Sequence, residues 1–243
     1  MKKVISIIIC NTVKNAPSEP DGTELLYTDE ERTFAEIVQN GIKQAKGKYT
    51  VFMEGDFSIT DADALIKAVA DCNADVLAFE GATAFKTSVI KNICPDGDYE
   101  TAIINGILNC KTIEKSDLKP FIFESTSAHG TEYSQKVTDE LLQILKDFKK
   151  FKAKTQKDVY SFAVDAICAK LNVFYMKAML AVRNEIITAE TLKNFDCALK
   201  ENVVLYLAMD KRFVCGNLGK LRKNSFKISF LTANKFKKYL NKQ

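Results

Sequence analysis

A chain of 243 residues with 47% hydrophobic and 27% charged side chains can bury a sizeable core, which excludes a small disulfide-stapled scaffold and wholesale disorder. Its formal charge of +4 hides a division: residues 1–135 hold 13 Lys/Arg against 21 Asp/Glu, a net −8, whereas residues 136–243 hold 22 against 10, a net +12. The two halves are therefore expected to differ in role.

No run of about 18 apolar residues is present, so no spanning helix is expected. Val4 to Cys10 is too short and lacks the cleavage signal of a secretory leader. The expected location is the cytoplasm. The seven cysteines (Cys10, Cys72, Cys94, Cys110, Cys168, Cys197, Cys215) stand singly, without a CxxC pair, and read as free, mostly buried thiols rather than as a zinc site or a disulfide framework.

Val4 to Cys10 is β-branched and continuously apolar apart from Ser6, the pattern of a central strand covered on both faces. Asn15 to Gly22 carries two prolines and a glycine and reads as a loop. Phe34, Ile37, Val38, Ile42 and Ala45 have helical spacing, and Gly47 lies where a helix stop belongs. Tyr49 to Met53 is a second strand. Thr60 is the expected N-cap of a helix reaching about Asp71, with Asp61 and Asp63 in its first turn, and Asp75 to Phe79 is a third strand. Strand, helix, strand, helix, strand predicts an α/β domain with a largely parallel sheet, whose ligands bind at the carboxyl ends of the strands.

Tyr99 to Asn109 has helical spacing, and Phe121 to Phe123 is a candidate edge strand. Beyond about Thr131 the pattern becomes helical, over Leu141 to Phe151, Val159 to Arg183 and Leu192 to Met209, with a strand alternative at Val203 to Leu207. These segments predict two domains, residues 1–130 and a basic helical region, 131–243.

The candidate chemistry lies at Glu54-Gly55-Asp56, where the second strand breaks. Carboxylates at i and i+2 share one face of a strand, and at a strand end that breaks into a glycine turn both can converge on one ion. Hard oxygen ligands suit Mg²⁺ or Mn²⁺, which take their remaining ligands from phosphates and water.

The stretch Gln39 to Asp56, QNGIKQAKGKYTVFMEGD, resembles the signature of family 2 glycosyltransferases of the GT-A fold, in which an Asn-x-Gly helix leads through Ala-x-Gly-x-Tyr into a strand ending in Asp-x-Asp. Ser6 to Ile9 is similar to that fold's first strand, Ala84 to Ile90 to its acceptor-side segment, and Gly97-Asp98-Tyr99-Glu100 to its catalytic-base motif. The resemblance implies a GT-A-like (Rossmann-like), mostly parallel sheet flanked by helices, with an α-helical C-terminal extension. It implies that Glu54, in place of the usual first Asp, and Asp56 bind a divalent cation, Mn²⁺ or Mg²⁺, that bridges the donor phosphates. Asn40 and Gly41 would belong to the same nucleotide-sugar site. Asp98 would accept the acceptor's proton in an inverting, single-displacement transfer. The implied partners are a nucleotide-sugar donor and a glycan or lipid-linked acceptor, as in building cell-envelope polysaccharide at the inner face of the membrane.

Two departures accompany the resemblance. Asn11 to Arg32 is shorter than the family's corresponding segment, which carries a second strand and helices that grip the nucleotide, and Asp96-Gly97-Asp98 replaces the usual Glu-Asp. The alternative reading is a degenerate, non-catalytic GT-A relative acting as an interaction or scaffold module.

His129, the single histidine, falls in a polar stretch and reads as a solvated loop residue. The basic clusters Lys146 to Lys152 and Lys235 to Leu240 read first as solvated helical faces and second as a peripheral contact with anionic membrane. No signature of a nucleic-acid-binding module is present, and Asn217 to Lys220 reads as a turn.

Overall fold

A computed structural model describes residues 4–10, 18–27, 34–53, 56–91, 98–123, 133–151 and 156–213. The chain divides into two compact units, Met1–Ala128 with Thr155–Tyr160, and His129–Lys154 with Ser161–Gln243.

The first unit is built on β1 (Ile5–Ile9), β2 (Thr23–Leu26), α1 (Phe34–Gln44), β3 (Tyr49–Met53), β4 (Phe57–Ile59), α2 (Ala62–Asp71), β5 (Val76–Phe79), β6 (Ala82–Lys86), α3 (Thr87–Ile90), α4 (Tyr99–Leu108), β7 (Ile113–Lys115) and β8 (Phe121–Phe123). Six strands form a sheet in the order β2-β1-β3-β6-β5-β7, and β4 pairs with β8 in a separate ribbon. β2, β1 and β3 are parallel, as are β5 and β7; β6 runs antiparallel to both of its neighbours.

Every residue of β1 and β3 is buried, because helices cover both faces of the sheet. Ile5, Ile7, Ile9, Tyr49, Val51 and Met53 point to one side, into a cluster completed by Leu65 and Val69 of α2. The opposite face receives α1 and α4 through glycines. A methyl group on Gly41 would lie 2.7 Å from Ile8, and one on Gly106 would lie 2.7 Å from the Phe85 ring, so both helices sit closer to the sheet than any side chain would permit.

The structure adds one strand to the expected elements and moves one cap. The Asn11 to Arg32 connection contains a strand, β2, which pairs in parallel with β1 from Ile5↔Thr23 to Ile8↔Leu26. Thr60 does not cap α2, because its hydroxyl donates to the Lys119 carbonyl (2.7 Å) and its amide to that of Pro120 (3.0 Å); Asp61 is the cap and accepts from the Ala64 amide at 2.9 Å. Phe121–Phe123 is a strand, as expected, and pairs with β4. Val203 to Leu207 is helical, so its strand alternative falls away.

The second unit contains α5 (Gln135–Phe151), most of α6 (Lys157–Arg183), α7 (Ala189–Lys200) and α8 (Val203–Phe213). α5 buries Leu141, Ile144, Leu145, Phe148 and Phe151, one helical stripe, and leaves its lysines in solvent. α6 packs on α7 through Phe174 against Phe195, with ring centroids 4.4 Å apart, and through the Tyr175 hydroxyl, which donates to the buried Asp196 carboxylate. Over Lys157–Val182, α6 is long and apolar enough to cross a bilayer by length and composition alone, and 53% of its 18-residue apolar window is buried inside the protein.

Candidate active site

The parallel register brings the carboxyl ends of β2, β1 and β3 side by side: Ile8 stands opposite Leu26, Ile9 opposite Met53, and the Cys10 amide donates to the Met53 carbonyl at 2.8 Å. Parallel strands ending together leave a crevice where the chain turns away, the usual ligand position in such sheets. Half-buried Asp56 follows β3 at this end, immediately before β4. Glu54 and Gly55 lie outside the described residues.

The amino end of α4 is tied to the same place. The Tyr99 hydroxyl donates to the carbonyl of Phe52, the penultimate residue of β3, at 3.0 Å. Asp98, exposed, is the N-cap of α4, and its Oδ1 accepts from the Thr101 amide at 2.9 Å. Tyr99, which the sequence offered only as part of a motif, thus ties the start of α4, where Asp98 sits, to the end of β3, which Asp56 follows.

Asn40 and Gly41 lie within α1. Gly41 is buried against Ile8, one residue short of the end of β1, and Asn40 beside it is half-buried. The close approach of α1 to β1 accounts for the glycine in physical terms.

The rest of the Ala45-x-Gly47-x-Tyr49 pattern joins the sheet at its other end. A methyl group on Gly47 would stand 2.5 Å from the Ser6 amide nitrogen and 2.6 Å from the Ile5 carbonyl carbon. The Gly47 amide donates to Ser6 Oγ (2.8 Å), and Ser6 donates to Glu24 Oε2 (2.7 Å), which also accepts from the Lys46 amide (3.0 Å). The Thr87 hydroxyl donates to the Gly47 carbonyl at 2.8 Å, so Thr50 Oγ1, 2.9 Å away, must be the donor to Thr87. Lys48 donates to the Ala70 and Cys72 carbonyls at 2.8 and 2.6 Å, capping α2, which has no basic residue in its own last turn. The Tyr49 hydroxyl donates to the Ala74 carbonyl beside Cys72. Burial, followed by the Cys72 contact, raises its pKa above the ordinary range.

Burial, followed by the charge of Asp75, pushes Cys110 up to about 12, and burial also raises Cys72, which disfavours the thiolate at both. Cys10, Cys72, Cys110 and Cys168 are buried thiols outside any disulfide, and Cys197 is exposed.

Among the described residues no three His, Cys, Asp or Glu side chains gather around a common point. Of the expected pair, Asp56 alone is described, and a hard divalent ion held there would take its remaining ligands from phosphate and water. His129, Asp96 and Gly97 lie outside the described residues, as do Asn217 to Lys220 and Lys235 to Leu240.

No protein-family model and no curated protein sequence matches the chain. Solved structures do resemble it. Residues 1–349 of TarS from S. aureus, in complex with UDP-GlcNAc, align over 86% of this chain and 76% of that one, at 13% identity and a TM-score of 0.53. A second crystal structure of the same TarS segment aligns over 86% and 75%, at 13% identity and a TM-score of 0.50. The protein is GT-A-like in fold: a mixed, mostly parallel six-stranded sheet flanked by helices, followed by C-terminal helices.

Proposed function

We propose that the protein is a glycosyltransferase that moves a sugar from a nucleoside-diphosphate sugar to an acceptor hydroxyl, with inversion at the anomeric carbon. The observation that supports this reading is the GT-A-like sheet, with the Tyr99 to Phe52 hydrogen bond tying the Asp98 end of α4 to the end of β3. The similarity to a structure holding UDP-GlcNAc favours a uridine nucleotide as donor. Asp56, with Glu54, holds a divalent cation; when bound, that ion offsets the charge on the departing diphosphate. Asp98 accepts the proton of the acceptor hydroxyl as its oxygen attacks the anomeric carbon, and the sugar–phosphate bond breaks with its electron pair leaving on the nucleoside diphosphate. The nucleophile comes from the acceptor. The acceptor class is a glycan or a lipid-linked saccharide, met in the cytoplasm at the inner face of a membrane.

Thermal melting tests the donor site. A ligand at 100 times its Kd stabilises by about 2.7 kcal/mol. In a chain of this size that raises Tm by about 5–10 °C. UDP with Mn²⁺ is expected to do so, and Asp56→Asn to remove the shift. No shift with any nucleoside diphosphate plus metal rejects the proposal.

A second reading, a non-catalytic GT-A relative serving as an interaction module, is favoured by one observation: capping α4 is a sufficient structural reason for Asp98. Sugar transfer or donor hydrolysis by the purified protein ends that reading.

A further inference from the structure

A groove of about 890 Å³ opens at the amino end of β3, walled by Lys43, Lys46, Lys48, Lys86, Lys91 and Glu24. It collects five of the 13 basic residues in a half of the chain whose net charge is −8. The lysines come from separate stretches: the last turn of α1, the turn into β3, the end of β6 and the residue after α3. Tertiary folding alone brings them together.

Lys48 commits its ammonium to the carbonyls at the end of α2. Among the described residues, the ammonium groups of Lys43, Lys46, Lys86 and Lys91 make no hydrogen bond or ion pair. The single carboxylate in the wall does not neutralise them, because Glu24 Oε2 is turned to Ser6 Oγ and the Lys46 amide and braces the turn. Like charges crowded into one groove repel each other, and an anion converts that repulsion into attraction. The wall is preformed: the Ser6, Glu24, Thr50 and Thr87 hydrogen bonds hold the 45–48 turn in place without a ligand.

We propose that this groove binds a phosphorylated small molecule, at a site distinct from the carboxyl end of the sheet. Lysine is a point-charge binder of phosphate. The groove's volume is that of small-molecule sites. Exposed Gln44 and Ser88 offer neutral hydrogen-bonding groups to the rest of such a molecule. Lys86 stands opposite Tyr49 in the register, and Met53 lies four residues further along β3, about 13 Å away at the usual rise per residue. The groove and Asp56 thus lie at opposite ends of β3.

The test uses the full chain, inorganic pyrophosphate as probe, and EDTA to silence any metal-dependent donor site, with binding followed by isothermal titration calorimetry. One site per chain is expected, weakening as salt rises. The triple variant Lys43→Gln, Lys86→Gln, Lys91→Gln is expected to bind at least tenfold more weakly, with Tm unchanged because these ammonium groups hold nothing in the fold. Asp56→Asn is expected to bind pyrophosphate as the wild type does, so failure of the donor reading leaves this result intact. Absence of binding overturns the proposal, as does loss of binding in Asp56→Asn with the triple variant unaffected. Lysine-dependent sedimentation with phosphatidylglycerol vesicles, without affinity for pyrophosphate, also overturns it in favour of a membrane contact.

Discussion

Replacing Gly47 by alanine puts a methyl group where the backbone of β1 already stands. The new Cβ would be 2.5 Å from the Ser6 nitrogen, 2.6 Å from the Ile5 carbonyl carbon and 2.8 Å from the Ile5 Cα. Ordinary contact begins near 3.4 Å, so the 45–48 turn must retreat by about 1 Å or β1 must bend. Neither neighbour is a flexible side-chain tip. Overpacking of this kind costs about 1–3 kcal/mol. Retreat also strains two buried hydrogen bonds, from the Gly47 amide to Ser6 and from Thr87 to the Gly47 carbonyl, and a buried group left unpaired costs about 1–3 kcal/mol. The expected loss is about 3–5 kcal/mol, a large share of the roughly 5–15 kcal/mol typical of a folded domain. Native-state hydrogen exchange on the 49–53 peptide reads it locally, without assuming that both units unfold together. Gly81→Ala is the control: it must adopt a positive φ of 87° but its Cβ meets only Phe123, at 3.8 Å, so about 1–2 kcal/mol is expected. A Gly47→Ala protein whose 49–53 amides lose less than about 1 kcal/mol of protection refutes the argument that this glycine exists to admit the backbone of β1.

Three further outcomes are expected. Asp98→Asn keeps a good N-cap on α4 and should leave stability within about 0.5 kcal/mol of wild type while transfer falls by about 10²–10⁴, whereas Asp98→Ala should lose stability by about 1 kcal/mol as well; equal activity in the Asp98→Asn variant and the wild type denies Asp98 the role of base. Tyr99→Phe leaves the Phe52 carbonyl without its hydroxyl partner and should cost about 1 kcal/mol, slowing transfer while the UDP–Mn²⁺ melting shift persists; a lost shift with normal turnover contradicts the positioning role. Stability should be flat below the ordinary thiol pKa of 9.0 and fall toward pH 12, because burial keeps Cys110 protonated in the folded chain after the unfolded thiol has ionised. The slope is about 1.4 kcal/mol per pH unit for each such group. Urea titrations at pH 8, 10 and 11 measure it, Cys110→Ala should remove one such contribution while that of Cys72 remains, and stability that rises with pH contradicts the sign.

Much of the first unit was legible because its signals are local. The unbroken β-branched run of β1, the helical spacing of Phe34 to Ala45 and the strand from Tyr49 to Met53 all survive folding with only their ends adjusted. Ser6, the one polar residue in β1, had no visible partner in sequence, since Glu24 and Gly47 reach it only across the sheet. β2 escaped notice because Thr23–Leu26 is four residues long and is recognisable only by its pairing with β1. The antiparallel course of β6 follows from a two-residue reversal at Gly81, with φ 87°, which composition does not distinguish from a loop.

The order of amino acids settled which side chains were available: two carboxylates near strand and helix ends, a glycine before a tyrosine, and a lysine-rich chain with an acidic first half. What they do together emerged from packing. Period and capping are written in neighbouring residues, whereas convergence depends on long-range contacts such as Tyr99 on Phe52, and on helices that approach the sheet at Gly41 and Gly106. By the same logic Lys43, Lys86 and Lys91, scattered in an acidic stretch of sequence, become one basic groove only because β3 and β6 lie side by side and α1 ends beside them.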